Sequence, residues 1–503
     1  MTKPMICLTL TGKTLEEDEE LVKKYSKKVD IVELRVDYLE EDEQLYVRRF
    51  PSLIQQPCIL TIRRDIDGGK YTGSEFSRTN LFARALAYAH QDRTRNFAYV
   101  DFEEDFVIPS IQDAALAFNV RIIRSLHNMT GPVYNLKERC ESMRKTGYEI
   151  PKIAFRANSL DDVTNMFREG ERLTQYDHIF VAMGELGTPS RILSAKSNSY
   201  LTYVSPDETM ANVSDIGHMT PTIINDLYRF HSINEETKIY GITGWPLVKT
   251  SSPEIHNQGY IGHDMDAVYI PARTPQISEA LTLSEQVGIQ GLSVTVPHKE
   301  SVMYYLSEVS PEASQIGAVN TIVKKDHGWI GYNTDAYGFR RALEEFLLVK
   351  KLKRTKVAII GAGGAAKAIA YVIKQMGGKA CIFNRTLTSA KSLADKYDFD
   401  YCELNLSCTE KLEAYSNLII QTTSVGMNSE EDSNESNDPI YFYKFRGNEI
   451  VFDIIYTPLT TPLMKRAFQA GCRTCNGLKM LQYQGYEQFK LFTGEDYENV
   501  KSE

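Results

Sequence analysis

The chain lacks any apolar run long enough to cross a bilayer, and it lacks any run of basic residues. The first absence excludes a helical membrane span. The second, with a formal net charge of −9, argues against nucleic acid as a main partner, so small anionic ligands must find local basic pockets. Apolar structure begins by Met5, which leaves no room for a secretory leader and makes the cytoplasm the expected compartment. Cysteine is scarce and scattered, eight in all, as suits a reducing compartment. Cys472 and Cys475 form a CxxC, but no second pair or nearby histidine completes a zinc site, so they read as small apolar residues and no metal is expected. There is no long internal repeat. At 503 residues the chain exceeds one ordinary core, and two or three domains are expected.

What is present in the first half is alternation. Apolar runs at Met5–Leu10, 31–36, 58–62, 98–102, 121–125, 152–155, 178–182 and 200–204 are separated by helix-length segments. Eight such units in about 235 residues fit a (β/α)8 TIM barrel, whose site lies at the carboxyl ends of the strands. In the second run Glu33, Arg35 and Asp37 alternate with Leu34 and Val36, which puts three charges on one face. The third run ends in Arg63, followed by Asp67, Gly68 and Gly69; the fifth leads to His127; the sixth carries Lys152 between apolar neighbours. A lysine turned into a barrel loses charge through burial and becomes a nucleophilic amine, the chemistry of a Schiff base.

VELRVD at Val32, TIRRDIDGG at Thr61, IIRSLHN at Ile122, PKIAFR at Pro151, TPSR at Thr188 and SDIGH at Ser214 resemble type I 3-dehydroquinate dehydratase. The resemblance implies that Lys152 forms an imine with the ketone of 3-dehydroquinate while His127 acts as general base and then acid. It implies that Arg63 and Arg191 hold the substrate, that Glu33 and Arg35 line the pocket, and that Ser214 sits on a closing loop. Two positions depart from the family: Asp67 replaces a Glu that orients the histidine, and His218 replaces a Gln. A shorter carboxylate reaches less far, and a histidine adds a titrating group.

Residues 357–370, VAIIGAGGAAKAIA, carry a different chemistry. Gly361 allows a tight turn, Gly363 lets backbone approach a pyrophosphate, and Ala366 keeps helix and strand close. Ala362, Gly364 and Ala365 complete the turn, and a helix N-terminus faces the phosphates. About twenty residues on, where an NAD site places a carboxylate, stand Asn384, Arg385 and Thr386, so a guanidinium is available to grip a 2′-phosphate and the cofactor reads as NADP. A bare glycine turn of this form can also serve packing alone.

Before that stretch the helical pattern stops around 233–237, and a short linker leads to KIYGITG. Thr250, Ser251 and Ser252 then precede Pro253, hydroxyls suited to capping a helix or holding a carboxylate. GLSVTVPHKE presents Lys299 after Pro297, and Asn320, Asn333 and Asp335 stand at element ends. Together these motifs resemble shikimate dehydrogenase from Lys238 to the C-terminus. The resemblance gives Thr250 and Ser252 to the substrate carboxylate, Asn320 and Asp335 to ring hydroxyls, and Lys299 with Asp335 to proton transfer. Thr295, Tyr456 and Gln484 complete the pocket, with Gly426 and Gly477 beside the cofactor. Ser429 to Asp438, SEEDSNESND, reads as a mobile acidic surface loop.

The fold expected is α/β: a barrel over 1–236, a substrate-binding lobe over 237–338 to which 476–503 return, and a Rossmann-type NADP lobe over 339–475. By resemblance the chain joins consecutive reactions of the shikimate pathway, as plant bifunctional enzymes do, with small-molecule substrates and no nucleic-acid or membrane partner. It is expected to be a monomer or weak homodimer. Three alternatives stay open: a non-catalytic sensor built from the same domains, a dehydrogenase with an inert barrel, and a dehydrogenase preferring quinate and NAD, which Arg385 disfavours.

Overall fold

Local sequence explains where the elements begin. Thr14 accepts a hydrogen bond from the Glu17 amide while the Glu17 carboxylate reaches back to the Thr14 amide, a capping box that starts the helix Leu15–Tyr25. Acidic residues fill its first turn and Lys23 and Lys24 its last, the order the helix dipole favours. Ser159 and Asp162 repeat the device at the helix Leu160–Glu171. Each such cap is worth about 1 kcal/mol. The computed structural model describes residues 3–87, 90–209, 217–247, 250–427, 429 and 431–498.

Strands β1 (Met5–Leu10), β2 (Ile31–Arg35), β3 (Cys58–Thr61), β4 (Tyr99–Glu103), β5 (Arg121–Asn128), β6 (Ile150–Arg156), β7 (Ile179–Met183) and β8 (Leu201–Val204) form one parallel sheet. Its order runs from β7 through β1 to β8, and a parallel bridge between His178 and Ser199 brings the two ends together into a nearly closed barrel. Alternation along each strand divides the apolar residues. Ile6, Leu8, Val32, Leu34 and Leu60 pack outward against helices, whereas Cys7, Ile31, Ile59, Ile123, Ile179 and Leu201 fill the interior. The eight expected strands are all present, and β5 and β6 run longer at the ends that carry His127 and Lys152.

By internal contacts the chain forms two units, Met1–Leu247 with Asp264–Ile289, and Val248–His263 with Gln290–Glu503. The first adds a parallel pair, β9 (Lys238–Thr243) and β10 (Ala267–Pro271), to the barrel. Its helix Ile277–Val287 groups with the barrel because it packs on Leu160–Glu171, where Glu279 accepts the Leu160 amide at 3.0 Å.

In the second unit β11 (Ile289–Val294), β13 (Thr321–Lys325) and β14 (Gly328–Tyr332) are antiparallel neighbours, with β12 (Glu308–Val309) parallel to β14. β15 (Lys356–Ile360), β16 (Lys379–Asn384), β17 (Asp400–Glu403), β18 (Leu418–Gln421), β19 (Ile450–Asp453) and β20 (Arg473–Cys475) form a parallel sheet in the order β17-β16-β15-β18-β19-β20. That order reverses between β15 and β18, which opens a crevice at their carboxyl ends. The C-terminal helix Leu478–Thr493 crosses Asp335–Leu347 closely at Gly338, where a Cβ would stand 2.6 Å from the Met480 carbonyl.

The acidic segment differs from the expectation at its far end. Asp438 is fully buried, pairs with Arg466 at 2.7 Å and accepts from Ser433, so an internal counter-charge anchors it instead of solvent. Among the described residues, no helix is long and apolar enough to cross a membrane.

Candidate functional site

At the carboxyl ends of the barrel strands, one cavity is lined by Glu33, Arg35, Arg63, Asp67, His127, Lys152, Arg191 and His218 among others. The Lys152 ammonium lies 3.0 Å from Asp101 and 3.6 Å from Glu33. Two carboxylates therefore flank the lysine that the sequence places between apolar neighbours. Arg63 is equally committed. It pairs with Asp101 at 2.7 Å and Glu103 at 3.0 Å and donates to Ser125, so its guanidinium organises the acids beneath the ligand site. Burial alone would raise the Asp101 carboxyl, but Arg63 and Lys152 hold it far below the usual range.

Glu33 accepts from Thr61 at 3.0 Å and Thr9 at 3.3 Å, which fixes it in the floor. Arg35 forks onto Asp37 through bonds of 2.9 and 2.7 Å, and Asp37 also accepts the Arg63 and Lys70 amides. His127 is pushed well below the ordinary imidazole value by burial and then by Arg63 and Lys152, which leaves it a neutral base. Its Nδ1 is buried with no hydrogen-bond partner among the described residues. Asp67 lines the same cavity but is bonded to Arg64 at 2.7 Å, so the shortened side chain is held by a neighbouring cation and not by the histidine. Arg191 is buried on the short helix Thr188–Ile192, and desolvation pushes it down to about 10, still a cation at neutral pH. His218 bonds Ser205 through Nδ1 and is held well below its ordinary value by burial and then by Arg191, Arg35 and Lys152. Ser214 lies outside the described residues.

The second constellation lies within the other unit. Lys299 Nζ meets Asp335 Oδ2 at 2.5 Å. Asn320 Nδ2 donates to the other Asp335 oxygen at 2.9 Å and to Gln484 Oε1 at 3.2 Å, while the Thr334 amide donates to Asn320 Oδ1 at 2.7 Å. Lys299 and Asn320 thus meet on one carboxylate at a helix N-terminus, where the dipole favours the anion, and Gln484 and Thr334 hold Asn320. The Val319 amide holds the Lys299 carbonyl at 2.8 Å, and Thr295 follows β11 directly, its carbonyl taking the His298 amide. Thr250 and Ser252 are bonded to each other at 3.1 Å, and no side-chain cap closes the start of the helix Ser252–Gly262. Thr250 Oγ1 also accepts the Ser252 amide at 3.2 Å, so the helix start draws on one of the two hydroxyls. Tyr456 bonds Thr250; burial raises its phenol above the ordinary value despite that bond.

Beside Lys299 stands the glycine turn. Gly361 has φ +115° and a Cβ there would lie 2.4 Å from Thr422 Oγ1, whereas nothing lies within 4 Å of a Cβ built on Gly363. The turn is thus forced at Gly361 and open at Gly363, the shape a backbone cradle for pyrophosphate needs. Ala362, Gly364 and Ala365 are only half-buried, while Ala366 is fully buried against the sheet. Lys299 Cδ is 3.2 Å from the Cβ position of Gly364, which brings this side chain to the glycine turn. Asn384 ends β16 and donates to the Thr386 carbonyl, and Arg385 lines a cavity with Asn384, Thr423 and Ser407. Gly426 has φ +97° in the turn after β18. Gly477 is explained by packing: a Cβ would stand 1.9 Å from the Ile454 carbonyl, and its amide is spent on Ile455.

Cys472 and Cys475 are both pushed up to about 11, chiefly by burial, so neither is a ready thiolate. Among the described residues no group of His, Cys, Asp and Glu is arranged to hold a metal ion. The sequence reading missed Asp101, Glu103, Ser125, Tyr203 and Thr334. Asp101 and Glu103 carried a legible clue, since they alternate with Val100 and Phe102 in a strand buried on both faces.

Comparison with known proteins matches three stretches of the chain to family models. The type I 3-dehydroquinase family matches residues 6–235, the shikimate dehydrogenase substrate binding domain 242–322, and the shikimate / quinate 5-dehydrogenase family 344–437. The chloroplastic bifunctional 3-dehydroquinate dehydratase/shikimate dehydrogenase of Arabidopsis thaliana is 33% identical over 97% of this chain and 82% of its own length. The NADP(+) shikimate dehydrogenase of Thermococcus kodakarensis is 38% identical over 52% of this chain and 92% of its own. A crystal structure of a shikimate dehydrogenase in complex with NADP+ has 35% identity and a TM-score of 0.48, covering 52% of this chain and 92% of its own.

Proposed function

The chain belongs to the family of bifunctional 3-dehydroquinate dehydratase/shikimate dehydrogenases, and from that premise we propose how its residues divide the two reactions. The observation that carries the reading is the pairing of two lysines with two different settings. Lys152 stands among buried carboxylates beside a neutral His127, and Lys299 stands between Asp335 and the glycine turn.

In the barrel, Lys152 passes a proton to neutral His127 and attacks the ketone of 3-dehydroquinate, and His127 returns that proton to the departing carbinolamine hydroxyl. The carbinolamine loses water to leave an iminium, which acidifies the neighbouring C–H. His127, neutral and close, takes that proton; the enamine electrons then expel the hydroxyl, which leaves as water with the proton His127 returns. A second water hydrolyses the imine and frees 3-dehydroshikimate with Lys152 restored. Arg191, Arg35 and His218 hold the substrate's oxygens. The Asp67–Arg64 pair leaves His127 less firmly oriented than a longer carboxylate would, so the chain's dehydratase should be slow in turnover but unchanged in reaction type.

In the second unit Gly361, Gly363 and the helix Gly364–Gln375 would hold the pyrophosphate of NADPH, and Arg385 with Asn384 and Thr386 its 2′-phosphate. When bound, the cofactor supplies a hydride to the ketone of 3-dehydroshikimate. Lys299 places a cation and a proton at the oxygen where charge develops, and Asp335 keeps that ammonium in place. Thr250, Ser252 and Tyr456 receive the substrate carboxylate, and Asn320 and Gln484 its hydroxyls.

We take the barrel as 1–236, the substrate lobe as 237–338 with 476–503, and the nucleotide lobe as 339–475. The eight free cysteines support a reducing compartment, the cytoplasm in our reading, which subcellular fractionation tests. Sedimentation velocity tests the reading of a monomer or weak homodimer. The deciding assay supplies 3-dehydroquinate and NADPH to the purified chain and follows NADPH loss. Shikimate should form, cease in Lys152→Ala, and return when 3-dehydroshikimate is added. Turnover of 3-dehydroshikimate alone would mean an inert barrel; silence with both substrates would mean a sensor.

A further inference from the structure

Tyr203, in β8, is 4% exposed, and its hydroxyl has no hydrogen-bond partner among the described residues. A buried donor without an acceptor is unfavourable, so its presence points to an acceptor that arrives with a ligand. The ring lines the Lys152 cavity, and Lys152 Nζ lies over its face at 4.4 Å from the centroid. The His218 ring lies nearly parallel to it, with a centroid separation of 6.4 Å and an interplanar angle of 8°. Burial, then Glu33, Cys7 and Asp101, hold the phenol well above its ordinary value. It is thus a neutral donor and not a proton-transfer group.

We propose that Tyr203 is a further catalytic residue of the dehydratase centre, its ring face stabilising the cationic nitrogen of Lys152 and its hydroxyl donating to an oxygen of the bound keto acid. The proposal rests on the reading of Lys152 as the Schiff-base residue. Its physical basis is a change in the nitrogen's bonding. An ammonium offers three donors to Asp101 and Glu33, whereas an iminium offers one, so the carboxylates serve the resting lysine better than the intermediate. A ring face needs no N–H to attract a cation, and in a desolvated site its attraction reaches about thirtyfold in an equilibrium. The ring therefore takes over where hydrogen bonds are lost, and the hydroxyl fixes the substrate attached above it.

The test uses the full chain with Tyr203→Phe and Tyr203→Leu, measuring dehydratase kinetics and trapping by borohydride. Borohydride delivers a hydride to the iminium carbon, reducing C=N to a secondary amine that mass spectrometry reads as a stable adduct on Lys152. Tyr203→Phe keeps the ring and loses the donor. It should raise KM for 3-dehydroquinate about three- to tenfold while kcat and the fraction trapped at saturation hold. Tyr203→Leu should also lower the trapped fraction, by about tenfold, and kcat with it. A barrel unfolding transition at the parent temperature in calorimetry, together with 3-dehydroshikimate reduction at the parent rate, shows that both variants are folded. An unchanged KM in Tyr203→Phe overturns the hydroxyl's role, and parental trapping in Tyr203→Leu overturns the ring's. Dehydration without any trapped adduct in the parent would sink the Schiff-base reading and this proposal together, an outcome distinct from trapping that both variants leave untouched.

Discussion

Asp101→Asn exchanges one oxygen for an amide and leaves two buried cations, Lys152 at 3.0 Å and Arg63 at 2.7 Å, with one counter-charge fewer. Breaking a buried ion pair by removing one partner costs about 3–5 kcal/mol, because the remaining charge stays desolvated. Glu33 and Glu103 remain within 3.6 and 3.0 Å of the two cations and take up part of the load. The lower end, about 3 kcal/mol, is therefore expected. For a barrel of this size, that lowers the unfolding temperature by about 6–12 °C. Differential scanning calorimetry of the whole chain measures the shift, with loss of dehydratase activity on heating marking which transition belongs to the barrel. A second substitution sharpens the argument. Lys152→Met in the Asp101→Asn background removes one surplus cation and should restore about 1–2 kcal/mol, although it abolishes dehydration. A single variant within about 1 kcal/mol of the parent would refute the view that Asp101 is the hub of the centre. So would a double variant no more stable than the single one.

Lys299→Met should lower kcat for 3-dehydroshikimate reduction by about a hundred- to a thousandfold with little change in KM, as loss of a group aimed at a developing oxyanion does; steady-state NADPH oxidation measures it. Since His127 is held well below the usual imidazole value, it stays a neutral base on acidification, so dehydratase kcat/KM should show no fall through pH 6.5 of His127 origin. A pH–rate profile with its acid limb centred at an ordinary histidine value would contradict that. Asp18 is buried and raised to about 7. Its folded value exceeds the unfolded carboxyl value near 4, so the folded state binds the extra proton between those limits. The stabilisation it contributes is complete below about pH 4 and is lost as pH rises through about 7, up to roughly 4 kcal/mol. Urea unfolding at several pH values should show this slope in the parent and a smaller one in Asp18→Asn.

The sequence by itself determined the strands and turns. Apolar runs of strand length, spaced by helices, gave all eight barrel strands within a few residues, because burial on both faces leaves a mark only local reading needs. The glycine turn was legible for a similar reason: Gly361 must adopt a positive φ that side chains avoid, and that constraint sits in one residue. Lys152, His127, Lys299 and Asp335 were identified as residues, but their partners were not. Asp101 lies 51 residues before Lys152 in the chain, and Gln484 lies 164 after Asn320, so no spacing rule joins them. Asp67 shows the same limit in reverse: its motif assigned it to His127, and the fold bonds it to Arg64. The acidic segment repeats the lesson, since composition marks it as solvated while Arg466 buries its last carboxylate. Only the tertiary structure decides which charges neutralise one another. A buried ionic group is governed by whatever lies within a few ångströms of it, and chain closure across sheets and helices, not sequence distance, sets that neighbourhood.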